Sequence, residues 1–149
     1  MLTVKTYLAP SQVHGIGLYA AEPIPSGSVI WRFSPHIDKI FSTESFIGLC
    51  AQMQGFSLQH LLCSSYRRGG RYFYLTDNTR FINHSSTIDN IRMVSDFEEI
   101  ATRDIATNEE LLENYHLAYD SNDFFFQEMI NPDPLHYLYV HQGGHHAHA

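Results

Sequence analysis

Short runs of β-branched and aromatic residues, broken by turn-forming residues, occupy most of this chain and limit what it can fold into. The runs at 29–33 and 91–95 have the composition of strands, and turn-forming residues flank both of them. Residues 44–53 instead carry apolar side chains at helical spacing, with Ser42 and Thr43 before them as N-caps and Gly55 after them as a stop. The pattern predicts a mainly β fold of the α+β class with a few short helices. The predicted strands are 3–8, 18–21, 29–33, 71–75, 91–95, 97–102 and 111–115, and the predicted helices are 44–53, 57–63 and 121–130.

The composition indicates one globular domain. Of the 149 residues, 44% are hydrophobic and 17% are charged, which suits a packed core and not a disordered chain. No run approaches the roughly 18 apolar residues of a membrane span, so we expect a soluble protein of the cytoplasm or nucleus that binds no membrane. Secretion into a host is the alternative. We expect a domain at 1–119, an aromatic and helical extension completing it at 120–141, and a flexible tail at 142–149, native or added by cloning.

The charge distribution favours basic partners over nucleic acids. The formal charge is −7, and eleven carboxylates between Asp96 and Asp133 face a single base, Arg103. Such a surface repels a phosphate backbone and attracts a cationic peptide, although a merely solvated acidic face is an equal alternative. Three arginines around Gly69 and Gly70 predict a loop that can hold an anion but is too short for nucleic-acid binding. They are Arg67, Arg68 and Arg71.

Three segments have residue types that suit chemistry. The two glycines of residues 14–17 (HGIG) leave backbone open to a ligand, although such a pair on its own is more often a plain turn. Residues 80–85 (RFINHS) concentrate hydrogen-bond donors and acceptors directly after an apolar pair. Residues 109–115 (EELLENY) end a predicted strand on a tyrosine.

Together and in this order, these segments resemble a SET-domain methyltransferase. Residues 14–20 are similar to the G-x-G-h-x-A opening of that family, and residues 24–30 to the strand entry that follows it. Residues 80–85 match its R-F-x-N-H-S segment, and residues 109–115 match its E-E-L-x-x-x-Y ending. The resemblance covers roughly residues 3–119 and joins motifs that are weak individually.

The resemblance implies a fold, a cofactor and a reaction. The fold is a β-clip with a pseudoknot, in which the segment ending at Tyr115 threads beneath the loop of residues 83–85. The implied reaction transfers methyl from S-adenosylmethionine to a lysine amine of a basic, histone-like or other protein, without a metal. Tyr115 is the implied catalytic residue, and Phe33, Tyr115 and Phe124 are the implied substrate-channel residues. The implied cofactor-binding residues are His14, Gly15, Ile16, Gly17, Arg80, Phe81, Asn83, His84 and Tyr115.

The chain also departs from the family pattern. Ser86 stands where zinc-bearing relatives carry cysteine, and Cys50 and Cys63 cannot form a four-cysteine site, so we expect no zinc. Either Asp89 or Asn90 takes the position of a family asparagine. The aromatic run at 124–126 either closes the channel or packs in the core. A flexible tail is the better interpretation of the tail histidines than a metal site; they are His141, His145, His146 and His148.

Two classes of function follow from the sequence. The first is the methyltransferase, and the second is a non-catalytic SET-like module that binds basic peptides or proteins. A homodimer in which one subunit completes the channel of the other is compatible with both.

Overall fold

The computed structural model describes residues 1–128, which form two compact units. The first unit holds residues 1–38 and 75–119, and the second holds residues 39–74 and, as far as they are described, those from Asp120 onward. The predicted tail, its histidines and the later parts of the predicted extension and last helix lie outside the described residues. Within residues 1–128, no helix has the length and apolar character needed to cross a membrane.

Short strands outnumber short helices, which confirms the predicted mainly β class. The strands are β1 (Thr6–Pro10), β2 (Ile16–Ala20), β3 (Val29–Arg32), β4 (Lys39–Ser42), β5 (Ser65–Arg68), β6 (Arg71–Tyr74), β7 (Asn83–His84), β8 (Ile91–Ser95), β9 (Glu98–Ala101) and β10 (Leu112–Glu113). The α-helices are α1 (Thr43–Cys50), α2 (Gly55–Cys63), α3 (Tyr115–Ala118) and α4 (Phe124–Glu128), and Asn78–Phe81 form a 3₁₀ turn.

The first unit contains the β1–β2 hairpin and a five-stranded sheet of order β3-β9-β8-β10-β7. Strand β10 lies between β7 and β8, which are consecutive in the chain, and pairs in parallel with both. The chain between β7 and β8 therefore passes from one side of β10 to the other, as the predicted threading requires.

Asn90, at the end of that crossing segment, fastens β10 in place. Its side chain is 1% exposed. It donates to the carbonyl of Glu110 over 2.8 Å and accepts from the amide of Leu112 over 2.9 Å. Asp89 is only partly buried. Of the two candidates for the family asparagine, Asn90 is thus the one built into the threaded strand.

The core of the first unit lies where aliphatic side chains from several strands meet. Members of this cluster are 5% exposed or less. Some face inward from strands, as Leu18 and Ala20 do from β2, and others lie in the connections between strands. The members are Leu18, Ala20, Ile24, Ile30, Ile82, Ile91, Ala101, Ile105 and Leu111.

The second unit is a three-stranded antiparallel sheet of order β4-β6-β5 with helices α1, α2 and α4. Ser42 caps α1 as predicted, its hydroxyl accepting from the amide of Ser45. The rings of Phe46 and Tyr72 stack with centroids 4.0 Å apart in the core. Strand β4 has no counterpart among the predicted strands.

Three predicted element assignments are wrong for local reasons. The arginines around Gly69 and Gly70 lie on the paired strands β5 and β6, so only the two glycines form a loop. Gly55 begins α2 instead of following a helix that reaches Met53. The last predicted strand stops at Glu113, because the side chain of Asn114 accepts from the amide of His116 and starts α3.

Candidate active site

Asn83 joins residues 14–17, the glycine turn, to the segment at residues 80–85. Its Nδ2 donates to the carbonyl oxygens of His14, at 2.9 Å, and Ile16, at 3.1 Å. The same nitrogen lies 3.1 Å from Oε1 of Glu110. Two motifs more than sixty residues apart thus form one site, as their assignment to one cofactor requires.

Glu110 is a site residue that the sequence analysis did not single out. A Cβ on Gly17 would lie 2.7 Å from Cδ of Glu110 and closer still to its Oε1, so the carboxylate occupies the space of the missing side chain. Its Oε2 accepts from the Tyr19 hydroxyl over 3.3 Å. Desolvation and the charge of Glu110 raise the pKa of Tyr19. The second glutamate of the 109–115 motif was the available signal.

Gly15 has a different role from Gly17. Its φ is +55°, a left-handed conformation that favours glycine, and no atom lies within 4 Å of the place a Cβ would take. His14, Gly15 and Ile16 are exposed. Backbone on this side of the turn is therefore open to a ligand.

His84 and Tyr115 form a second contact beside this turn. The amide of Tyr115 donates to Nδ1 of His84 over 3.1 Å, so the neutral imidazole carries its proton on Nε2. Burial and the neighbouring His116 lower the pKa of His84, which favours that neutral form. The two rings lie with centroids 5.2 Å apart.

The Tyr115 hydroxyl is held by main chain. It donates to the carbonyl of Ile82, directly before Asn83. The Tyr115 ring stacks on Tyr119 with centroids 4.4 Å apart and is half-buried. The structure thus gathers Tyr115, His84 and Asn83 around the pairing of β7 with β10.

Arg80 and Phe81 lie on the 3₁₀ turn before β7. The guanidinium of Arg80 lies 5.0 Å from the centroid of the Phe81 ring, and Phe81 packs against the core of the first unit. Arg80 is exposed. Its position suits a contact with a ligand at the surface more than a buried role.

The channel residues lie in different parts of the chain. Phe33 joins an aromatic group of the first unit, 6.4 Å from Trp31 and 5.5 Å from Phe97 between centroids. Phe124 is 6% exposed in the core of the second unit. Core packing was the alternative for the 124–126 run and accounts for Phe124, whose channel role stays a prediction. Phe125 and Phe126 are only partly buried.

Residues 1–128 contain no group of three or more metal-ligating side chains arranged around a common point. Cys50 is buried, and desolvation raises its thiol pKa to about 11, whereas Cys63 is exposed. The burial and the raised pKa of Cys50 do not favour a reactive thiolate there.

The fold and the joined motifs define a SET-type domain. The family model for the SET domain matches residues 15–116, and the chain belongs to this family. SET domains are in general protein-lysine methyltransferases. A comparison with curated proteins finds no match.

Solved structures of polycomb repressive complex 2 have a similar fold. A complex from Chaetomium thermophilum is 22% identical over 78% of this chain, with a TM-score of 0.56. An active complex in its stimulated state is 23% identical over 75%, also with a TM-score of 0.56. An autoinhibited form bound to S-adenosylmethionine is 20% identical over 89%, with a TM-score of 0.59. This chain spans only 15–17% of those chains.

Proposed function

We propose that this protein transfers a methyl group from S-adenosylmethionine to a lysine side chain of a basic protein or peptide. The observation that carries the proposal is the junction at Asn83, which binds the glycine turn directly beside the His84–Tyr115 pair. A structurally similar complex is bound to the same cofactor, which supports the choice of methyl donor.

The residues around the glycine turn fit such a cofactor. The open space at Gly15 admits a ligand to bare backbone, while Gly17 is closed by Glu110. Oδ1 of Asn83 accepts no hydrogen bond from residues 1–128, so it is available to an ammonium group. The site therefore offers an acceptor oxygen for the ammonium end of an amino acid.

When bound, S-adenosylmethionine supplies a methyl group already activated by a sulfonium. The protein has to align an amine with that methyl and exclude water. A lysine amine with an ordinary pKa near 10.4 is mostly protonated at neutral pH, and a narrow apolar channel shifts it toward the neutral form.

Tyr115 is the residue that we assign to positioning the amine and the methyl. Its hydroxyl is fixed on the Ile82 carbonyl and its ring on Tyr119, so neither has to be ordered when a substrate arrives. Phe33 is proposed as a channel wall. The substrate proton leaves to solvent before the amine attacks.

The test is methyl transfer by Tyr115→Phe. With labelled S-adenosylmethionine and a panel of basic proteins, we expect the variant to lose at least about 100-fold in rate while cofactor affinity stays within about threefold. Tyr7→Phe is the matched control, because the Tyr7 hydroxyl bonds to Asn108 at the surface. Tight binding of basic peptides by wild type without any label transfer would instead identify the non-catalytic module.

A further inference from the structure

The turn between β5 and β6 binds the carboxylate of Asp120. Gly69 and Gly70 form the two-residue loop, with φ of +57° and +74°. Their consecutive amides donate to Asp120, Gly69 to Oδ1 at 3.0 Å and Gly70 to Oδ2 at 2.9 Å. Adjacent backbone amides arranged in this way form a concavity that binds anions.

Arg67, on β5, adds a charged donor to the same carboxylate. Its Nη1 lies 2.7 Å from Oδ2 of Asp120 and 2.5 Å from the side-chain oxygen of Asn122. The Arg67 side chain is only 17% exposed, and its guanidinium lies 5.9 Å from the centroid of Tyr72. The carboxylate thus meets two amides and one guanidinium, a set of donors suited to an oxyanion.

Two more contacts extend the attachment along the chain. The amide of Asp120 donates to the carbonyl of Arg67 over 2.8 Å, and Asp123 accepts from the amide of Arg67 over 2.5 Å. Asp123 also accepts from the amide of Phe125, at the start of α4. The segment that enters α4 is therefore bonded to the hairpin at successive points.

We propose that this hairpin turn is an oxyanion receptor and that Asp120 is its intramolecular ligand. The two glycine amides and the Arg67 guanidinium recognise the oxygens of an oxyanion, and they do not require that the oxyanion be an aspartate side chain. A free carboxylate or an inorganic phosphate therefore binds the same donors once the side chain of Asp120 is removed. Occupancy of the receptor holds the segment from Asp120 to α4 on the second unit. The inference is independent of the methyl-transfer proposal.

The test is hydrogen exchange of the full chain carrying Asp120→Ala. We expect the amides of Gly69, Gly70 and residues 122–126 to exchange at least about tenfold faster than in wild type. Sodium acetate at about 0.1 M should slow the Gly69 and Gly70 amides again, relative to sodium chloride of the same ionic strength. Residues 122–126 should stay fast, because a free anion does not link them to the hairpin. Phosphate in a parallel arm shows whether a tetrahedral oxyanion is accepted as well as a planar carboxylate.

Control variants distinguish the loss of the contacts at the hairpin turn from a general effect of removing a negative charge. Glu44→Ala removes an exposed carboxylate from the same unit and should leave these amides unchanged. If Asp120→Ala does not fold, Asp120→Asn keeps one acceptor oxygen, and at least one of the two glycine amides should still exchange about threefold faster. Unchanged exchange in the variants, or equal slowing by acetate, phosphate and chloride, would overturn the proposal.

Discussion

At the scale of single residues, Gly17 shows how a missing side chain can be part of a site. The Glu110 carboxylate fills the space beside it, within reach of both Asn83 and Tyr19. Any side chain at position 17 must displace that carboxylate, and the hydrogen bonds that hold the glycine turn to β7 are disturbed with it.

We expect Gly17→Ala to lower the free energy of unfolding by about 2 kcal/mol, through steric displacement of Glu110 and loss of its hydrogen bonds. Urea unfolding measures this change. Gly48→Ala is the control: Gly48 is an exposed position of α1 with nothing within 4 Å of its added Cβ, so the helix should gain about 0.5–1 kcal/mol. An unchanged unfolding curve for Gly17→Ala would contradict the packing of Glu110.

The resemblance of local motifs to the SET family made much of the candidate site predictable from the sequence, because Asn83, His84 and Tyr115 all lie within those motifs. Glu110 fills the space where Gly17 lacks a side chain, and these two residues are far apart in the sequence. The sequence pattern alone therefore does not indicate that Glu110 belongs to the site. The choice between Asp89 and Asn90 likewise depended on which of them reaches β10. Element ends were set by single caps such as Asn114, and these were not assigned.

At the scale of elements, β10 depends on the buried side chain of Asn90. We expect Asn90→Ala to lower the free energy of unfolding by about 3 kcal/mol, since the amide of Leu112 and the carbonyl of Glu110 lose their buried partner. Chemical denaturation checks this value. Asn78→Ala, at an exposed position of the 3₁₀ turn, should change it by less than about 0.5 kcal/mol. Equal effects of both variants would show that Asn90 does not fasten the strand.

Asp123, at the start of α4, gives the second unit a dependence on pH. Burial raises its pKa from 3.8 to about 6, against the lowering effect of the amides of Phe125 and Arg67. The folded state therefore holds the proton more tightly than the unfolded state does. The stabilisation is complete below the unfolded pKa and is lost as the pH rises through about 6.

The corresponding measurement compares wild type with Asp123→Asn. Between about pH 7.5 and about pH 5, wild type should gain roughly 1 kcal/mol of unfolding free energy relative to the variant. Thermal or urea unfolding across this range gives the difference at each pH. A difference that stays constant, or that changes with the opposite sign, would show that Asp123 does not titrate in this window.

At the scale of the whole molecule, much of the acidic run is structural. Of the carboxylates of this run that lie within residues 1–128, four are buried and three others form ion pairs with arginines of their own unit. The buried ones are Glu99, Glu110, Glu113 and Asp123, and the paired ones are Glu98, Glu109 and Asp120. The run is therefore not simply a solvated face. Ion pairing leaves the net charge of −7 unchanged, and that charge acts over longer distances.

We expect binding of a lysine-containing basic peptide to weaken at least about threefold between about 50 mM and about 500 mM salt, because added ions screen the attraction. Fluorescence anisotropy with a labelled peptide measures the affinity. A peptide of the same length with its flanking basic residues replaced by glutamine should bind more weakly and depend less on salt. If both peptides showed the same salt dependence, the net charge of the protein would have no role in binding the basic peptide.

The position of β10 also governs the order in which the chain can be assembled during synthesis. Its neighbours β7 and β8 leave the ribosome earlier, yet the strand that belongs between them follows about twenty residues after β8 begins. If β7 and β8 take their places first, the sheet is completed by insertion of β10 into a gap and not by growth at an edge. Until then the gap presents main-chain donors and acceptors that any extended segment can pair with. A partly folded chain in which β7 and β8 are in place before β10 is therefore the state most open to mispairing.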